Sequence, residues 1–165
     1  MTAIGFSGHD HSACISDALA SAEARCRENG WRLTPMRRRV LELLLSEHRA
    51  LGAYDLLKLL SEEGQPRQPP VVYRALAFLT EHGFAHKIER LNSYVACAHP
   101  GSAHSPIFLI CSACDKVAET TSPSGNPLEA AAREAGFAME AAAIEASGTC
   151  PECRARQNEP AEQHI

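Results

Sequence analysis

The 165-residue sequence predicts an α+β fold in two parts: a helical N-terminal part that ends in a β-hairpin, and a smaller C-terminal part that mixes strands and helix. Three observations support this prediction. Four segments with apolar residues at helical spacing precede a hairpin pattern. Two short strand patterns and a helical pattern follow them. Two Cys-x-x-Cys pairs lie in the second part, where they indicate a metal site.

The predicted N-terminal helices have recognisable starts and stops. The first, over residues 15–29, is followed by Gly30, and its apolar stripe consists of Ile15, Leu19, Ala22 and Cys26. Thr34 and Pro35 supply an N-cap and a first helical residue for the second helix. The third and fourth helices are predicted over 53–63 and 70–82, and each precedes a glycine.

The segments 84–89 and 94–97 flank a polar turn and predict a hairpin. Three helices followed by a hairpin is the order of a winged helix-turn-helix, whose last helix enters the major groove of DNA. Many small helical domains share this order. The region 31–90 carries ten Lys or Arg and seven Asp or Glu in a chain of net charge −4, which is a modest hint of a polyanionic partner.

In the C-terminal part, strands are predicted over 106–111 and 116–121, and a helix over 127–135. The segment 137–146 is ambiguous, because its alanines favour a helix whereas a strand would return the chain to the first two strands. We therefore expect a flexible tail over 1–14, a winged-helix domain over 15–97, a hinge over 98–103, a metal-binding domain over 104–156 and a second flexible tail over 157–165.

The chain shows neither an apolar run long enough to cross a membrane nor a secretory signal, so we expect a cytoplasmic protein. In that compartment, clustered cysteines indicate metal before disulfide. Two Cys-x-x-Cys turns supply four thiolates that suit one tetrahedral zinc ion and close every coordination position, which predicts a structural site. The four ligands are Cys111, Cys114, Cys150 and Cys153. A pair of redox motifs is the alternative.

Other metal-binding side chains are less clear. His86, Cys97, His99, His104 and Glu119 surround the junction of the two parts, and a metal held from both sides would clamp them together. Imidazole and carboxylate ligands suit iron or manganese, whereas a thiolate beside two imidazoles favours zinc. Spacing alone does not decide whether these residues form a site. Cys26 is interpreted as a buried hydrophobe. The tail residues His9, His11 and Cys14 are more typical of bystanders than of ligands.

Six segments occur together and in order: Arg32-Leu33-Thr34-Pro35, Ala53-Tyr54-Asp55-Leu56-Leu57, Pro69-Pro70-Val71-Val72-Tyr73-Arg74-Ala75-Leu76, Asn92-Ser93-Tyr94-Val95, Cys111-Ser112-Ala113-Cys114 and Cys150-Pro151-Glu152-Cys153. With them, the sequence resembles the Fur family of metal-responsive repressors and, within it, the zinc uptake regulators. The likeness covers about residues 18–154.

The resemblance implies a winged-helix DNA-binding domain, a C-terminal α/β dimerisation domain, and a homodimer that binds palindromic double-stranded operator DNA when loaded with zinc and represses zinc uptake genes. It implies two zinc ions per subunit. The structural zinc falls on the four cysteines. The regulatory zinc falls on His86, Cys97, His104 and Glu119. Because this chain departs from the family's histidine pattern near His104, we keep His99 as an alternative ligand to His104. It also makes 137–146 a strand of the dimerisation sheet.

The resemblance further places base contacts at Tyr54 and Arg74, and we add Arg37, Arg38 and Lys87 as candidates for phosphate contact. Many relatives carry a His-x-His pair before the first strand of the second domain. His104 stands without such a pair, so we expect no third metal site. No membrane or small-molecule substrate is expected as a partner.

Other functions remain open at the sequence level. The closest is a Fur-family regulator that responds to iron, manganese or peroxide. An enzyme such as a zinc hydrolase is disfavoured, since the His-Glu-x-x-His helix is absent and the predicted junction site has four protein ligands. A zinc-stabilised protein-interaction module without a DNA role is the third alternative.

Overall fold

The computed structural model describes residues 11–46, 49–64, 68–102, 104–122 and 126–158. The chain divides into two compact units between His104 and Ser105. Residues 1–10 and 159–165, which include His9 and most of the two predicted tails, lie outside the described residues. Among the helices of the described ranges, none is both long and apolar enough to cross a membrane.

The N-terminal unit begins with four helices: α1 (His11–Glu28), α2 (Pro35–Ser46), α3 (Ala53–Glu62) and α4 (Pro69–Glu81). All four were predicted. Helix α1 starts at His11, so residues 11–14 are helical rather than part of a flexible tail. Helix α4 starts one residue before the predicted position, because both prolines fit its first turn, where a missing N–H costs no hydrogen bond.

Local hydrogen bonds explain where these helices begin and end. The Thr34 hydroxyl accepts a hydrogen bond from the Arg37 N–H at 3.4 Å, as the N-cap prediction requires. At the end of α1, Gly30 adopts a φ of 69°, and the Trp31 N–H donates to the Cys26 carbonyl at 2.8 Å. This left-handed cap satisfies carbonyls that the last turn would otherwise leave unpaired.

The wing consists of β1 (Ala85–Ile88) and β2 (Ser93–Ala96), which pair antiparallel with Ala85 opposite Ala96. Leu51, just before α3, adds a bridge to β2 that the sequence analysis did not foresee. Its N–H donates to the Tyr94 carbonyl at 2.9 Å, and its carbonyl accepts from the Tyr94 N–H at 2.8 Å. The bridge fastens the start of α3 to the hairpin and completes a winged helix-turn-helix.

The core of this unit is built from the predicted apolar stripes. Its buried members include Leu19 and Ala22 from α1, Val40, Leu43 and Leu44 from α2, Leu56 and Leu60 from α3, and Val72, Leu76 and Leu79 from α4. Cys26 is only 2% exposed within the same cluster, and burial raises the pKa of its thiol. Its interpretation as a small buried hydrophobe is therefore confirmed.

The C-terminal unit contains β3 (Ile107–Cys111), β4 (Val117–Thr120), α5 (Pro127–Glu134), β5 (Ile144–Gly148) and α6 (Pro151–Asn158). Its sheet has the order β4-β3-β5. The central strand β3 pairs antiparallel with β4 and parallel with β5. Together the two units confirm the predicted α+β class.

Two parts of this unit differ from expectation. The segment 137–146 is a strand only from Ile144 onwards, and Phe137 is 67% exposed. Strand β3 has five residues, so a parallel partner finds backbone groups only over five positions, which Ile144–Gly148 occupy. Helix α6 was not predicted. Pro151 at its first position is the available signal, because proline is favoured there.

Candidate metal centres and DNA-contacting surface

The sheet topology brings the two Cys-x-x-Cys turns together. Cys111 ends β3, and Cys150 follows β5 after one residue. Since β3 and β5 are parallel neighbours, their carboxyl ends meet at one edge, and the Ser112 N–H donates to the Gly148 carbonyl there at 2.8 Å. Ligand atoms of the four cysteines, Cys111, Cys114, Cys150 and Cys153, all lie within 4.8 Å of one another.

The sulfur geometry fits a zinc ion. A Zn–S bond of about 2.3 Å in a tetrahedron places two sulfurs about 3.8 Å apart. The Sγ atoms of Cys114 and Cys150 lie 3.8 Å apart. None of the seven cysteines, all within the described ranges, forms a disulfide. Four thiols that converge from two motifs suit one closed metal site.

Hydrogen bonds shift the pKa values of Cys111 and Cys153 in opposite directions. The Cys150 N–H donates to the Cys111 Sγ at 3.3 Å and, with the Ala113 N–H, lowers the pKa of Cys111 to about 6. Hydrogen bonding of the Cys153 thiol to the sulfurs of Cys150 and Cys114, together with burial, raises the pKa of Cys153 to about 12. Metal loading must therefore displace thiol protons.

A second group of ligand atoms lies in the N-terminal unit. His86 is on β1 and Cys97 directly follows β2, where the Cys97 N–H donates to the Phe84 carbonyl at 2.9 Å. His86 pairs with Val95, so Cys97 lies diagonally across the hairpin on the same face. His104 reaches this face, and ligand atoms of the three residues lie within 4.8 Å of one another.

The spacing of this second group also fits zinc. The Cys97 Sγ lies 3.6 Å from the His104 Nε2. A tetrahedral ion with Zn–S of about 2.3 Å and Zn–N of about 2.0–2.1 Å places sulfur and nitrogen about 3.6 Å apart. Cys97 is 6% exposed, so its thiol is shielded from water.

The tautomer of His104 is set by a backbone carbonyl. The His104 Nδ1 lies 2.9 Å from the Ser102 carbonyl oxygen, which can only accept a hydrogen bond. Nδ1 therefore carries the proton, and Nε2, the atom nearest Cys97, keeps its lone pair for a metal. Ser102 was not a sequence-level candidate, because no local motif indicates which carbonyl a histidine ring will meet.

The three remaining candidate ligands lie in different parts of the chain. Glu119 lies on β4 of the C-terminal unit and is 5% exposed. Its assignment as a ligand remains a prediction. His99 is exposed in the turn before His104, and the two rings lie 6.0 Å apart between centroids. Cys14 is exposed on α1 and lies in neither cluster.

The helix-turn-helix presents two of the predicted DNA-contacting side chains to solvent. Tyr54, in the first turn of α3, is 81% exposed. Arg74 is exposed on α4, where its Nε donates to the Pro70 carbonyl at 3.2 Å. Both belong to the part of a winged helix that faces DNA.

The three candidates for phosphate contact each have a partner within the unit. The Cζ of Arg37 lies 3.8 Å from the Phe78 ring centroid, and Arg38 is ion-paired with Glu23 at 2.7 Å. Lys87 is ion-paired with Glu89 at 2.7 Å, which raises the pKa of the lysine. A phosphate contact by any of them would compete with these interactions.

An ion pair that sequence reasoning missed joins the two Cys-x-x-Cys turns. The Lys116 Nζ lies 2.7 Å from a Glu152 carboxylate oxygen. Lys116 stands two residues after Cys114, and Glu152 lies inside the second motif. A charged residue next to each motif was visible in the sequence, but the 36-residue separation gave no reason to pair them.

These observations define a two-unit protein with a winged helix-turn-helix, a four-cysteine cluster and, in the winged-helix unit, a second cluster of two imidazoles and a thiol. Comparisons with known proteins agree with that class. The ferric uptake regulator family model matches residues 28–147. The chain belongs to this family.

Within this family, the chain is similar to zinc uptake regulators. The chain is 42% identical over 139 residues to the zinc uptake regulation protein of Escherichia coli K12, covering 83% of this chain and 81% of the relative. It is similar to a solved zinc uptake regulator complexed with zinc and DNA, with a TM-score of 0.82, 40% identity and coverage of 87% and 97%. The holo form of XcZur gives a TM-score of 0.75, 42% identity and coverage of 84% and 98%.

Proposed function

We propose that this chain is a zinc-responsive transcriptional repressor that binds palindromic operator DNA as a zinc-loaded homodimer and represses zinc uptake genes in the cytoplasm. One observation carries the proposal. His86, Cys97 and His104 converge within the winged-helix unit, and the sulfur-to-nitrogen distance of 3.6 Å matches a tetrahedral zinc site. A thiolate beside two imidazoles favours zinc over iron or manganese. The likeness to zinc uptake regulators supports the same metal.

We assign two zinc ions per subunit. The structural ion would be held by the four cysteines, whose sulfurs leave no position open for chemistry. The regulatory ion would be held by His86, Cys97 and His104, with Glu119 of the C-terminal unit as the fourth ligand. The Glu119 side chain is buried, and carboxylate oxygens are among the ligands that zinc accepts.

Ligands drawn from both units would couple metal binding to DNA binding. His86, Cys97, His104 and Glu119 would hold a zinc ion that supplies positive charge and a fixed coordination geometry. Binding would favour the arrangement of the units in which all four side chains can converge. The free energy by which zinc strengthens operator binding equals the difference in zinc-binding free energy between the DNA-competent arrangement of the units and the other arrangements. Such coupling free energies are roughly 1–3 kcal/mol. We also propose residues 98–103 as the hinge and residues 104–156 as the dimerisation domain.

Base reading would be carried by Tyr54 and Arg74. The guanidinium of Arg74 can donate two hydrogen bonds to a guanine edge once it releases its intrahelical acceptor, while Tyr54 offers an exposed ring to a thymine methyl group. Arg37, Arg38 and Lys87 remain phosphate-contact candidates that must exchange their internal partners. Specificity would therefore rest on Tyr54 and Arg74, because phosphate contacts carry no sequence information directly.

The direct test is operator binding by fluorescence anisotropy with buffered zinc, and with a chelator strong enough to empty only the regulatory site. We expect tight operator binding with zinc, weak binding with chelator, and recovery on adding zinc. A random duplex of equal length is the control. Operator affinity that is unchanged by chelation would exclude a zinc-responsive repressor. Operator binding no tighter than random-duplex binding, with and without zinc, would leave a zinc-stabilised interaction module.

The alternative of an iron, manganese or peroxide regulator is tested by metal analysis of the purified chain and by repeating the titration with Fe²⁺ and Mn²⁺. We expect operator binding at far lower free zinc than free iron or manganese, because of the Cys97 thiolate. The enzyme alternative is tested by esterase and peptidase assays on the zinc-loaded chain. We expect no metal-dependent turnover, since the proposed sites have all positions filled by protein.

A further inference from the structure

Helix α1 contacts the turn that leads to the regulatory histidine. Arg25, near the end of α1, lies against the backbone of Gly101, where an added Cβ atom would lie 2.9 Å from the Arg25 Cζ and 3.0 Å from its Nη1. The same Cζ lies 5.2 Å from the Phe84 ring centroid. Arg25 Nη1 is buried and finds no hydrogen-bond partner within the described ranges. The position of the Arg25 guanidinium is therefore explained by its packing against Gly101 and Phe84.

The turn under Arg25 fixes the group that orients His104. The Ser102 hydroxyl donates to the His99 carbonyl at 2.9 Å, which closes the turn around Gly101. The Ser102 carbonyl then accepts the Nδ1 proton of His104. Gly101 has a φ of 93°, a conformation that L side chains rarely adopt, and Arg25 fills the space that a side chain would need.

We propose that Arg25 and Gly101 are positioning residues for the regulatory zinc site, so that α1 is part of the metal-sensing apparatus. This inference rests on the proposed zinc-responsive function. Neither residue touches the metal. Arg25 holds the turn, the turn holds the Ser102 carbonyl, and that carbonyl keeps His104 in the tautomer with Nε2 available. The residues matched by the family model begin at 28, so Arg25 lies outside that match.

The proposed positioning role of Arg25 depends on the planar shape of its guanidinium group. It can lie flat against a peptide on one side and an aromatic ring on the other, whereas a lysine ammonium is a compact, strongly hydrated point charge. Arg25→Lys should therefore behave like Arg25→Met, although it keeps the charge. Comparing the two variants therefore distinguishes a packing role of Arg25 from a purely electrostatic role.

The experiment compares Arg25→Met, Arg25→Lys and Gly101→Ala with wild type, and uses Arg27→Met, an exposed arginine on the same helix, as the matched control. Regulatory zinc affinity is measured without DNA, by competition with a fluorescent chelator, on chains that retain the structural zinc. We expect the three variants to lose about 10–100-fold in affinity, as is usual when a group that orients a metal ligand is removed. Arg27→Met should match wild type.

A second measurement does not depend on zinc. Long-range ¹H–¹⁵N NMR of the histidine rings in chains depleted of regulatory zinc reports the tautomer of His104. We expect the Nδ1–H form in wild type and a mixture of tautomers in Arg25→Met and Gly101→Ala. Wild-type zinc affinity in both variants, or an unchanged His104 tautomer, would overturn the positioning role. If wild type itself bound only the structural zinc, the proposed function would fail instead, so the two failures are distinguishable.

Discussion

Replacing the Cys97 sulfur tests the metal switch most directly. Cys97→Ser removes the thiolate that lies 3.6 Å from the His104 Nε2, and a serine hydroxyl stays protonated and neutral near pH 7. Loss of a group that only orients a ligand costs about 10–100-fold in metal affinity, so loss of the ligand itself should cost at least about 100-fold. That factor corresponds to about 2.7 kcal/mol.

The loss of zinc affinity in Cys97→Ser predicts a loss of operator affinity. At a free zinc concentration tenfold above the wild-type midpoint, wild type is about 90% loaded, whereas a variant weakened 100-fold is about 10% loaded. With a coupling of roughly 1–3 kcal/mol, operator affinity in Cys97→Ser should fall about 3- to 10-fold, because DNA binding itself promotes zinc loading of the weakened site. The assay is operator anisotropy against buffered zinc, with circular dichroism and one retained zinc per chain as checks of the fold.

Cys26→Ser is the matched control. Cys26 is also a buried cysteine of the N-terminal unit, but it belongs to neither ligand cluster. Its replacement buries a hydroxyl and should lower the free energy of unfolding by about 1–3 kcal/mol without moving the zinc midpoint. A Cys97→Ser midpoint within about threefold of wild type would refute the regulatory role of this thiol.

Three further predictions concern the other sites. Cys150→Ser should lose the structural zinc and unfold the C-terminal unit, because the binding free energy of such a site, about 10–16 kcal/mol, is folding free energy; a zinc-free variant with native NMR dispersion would disprove this. Arg74→Ala should weaken operator binding by about 1–3 kcal/mol but random DNA far less, whereas Lys87→Ala should weaken both alike; an unchanged operator-to-random affinity ratio for Arg74→Ala would exclude base reading. Lys116→Gln should speed zinc release to a chelator by no more than about fivefold, since its pair with Glu152 is partly exposed, and a Glu152→Gln, Lys116→Gln double variant should add nothing more.

Local signals account for most of what was predicted correctly. The Thr34 cap, the stop at Gly30 and the apolar stripes depend on residues a few positions apart, so they can be recognised along the chain. The bridge between Leu51 and Tyr94 could not, because it joins segments 43 residues apart and leaves no local pattern. The strand within 137–146 was predicted to start too early in the sequence. Its start depends on the length of β3, a pairing partner that is distant along the chain.

The sequence by itself determined the donor set and the fold class. Four thiols in two Cys-x-x-Cys motifs specify a closed metal site wherever they meet, and helical periodicity followed by hairpin and strand patterns indicates an α+β class. The tertiary structure alone decided how those donors meet. Parallel pairing of β3 with β5 brings the two cysteine motifs to one edge, and Arg25 of α1 packs against Gly101 in the turn before His104. Each is a contact between segments distant in sequence, whose geometry depends on the packing of the whole unit rather than on any local run of residues.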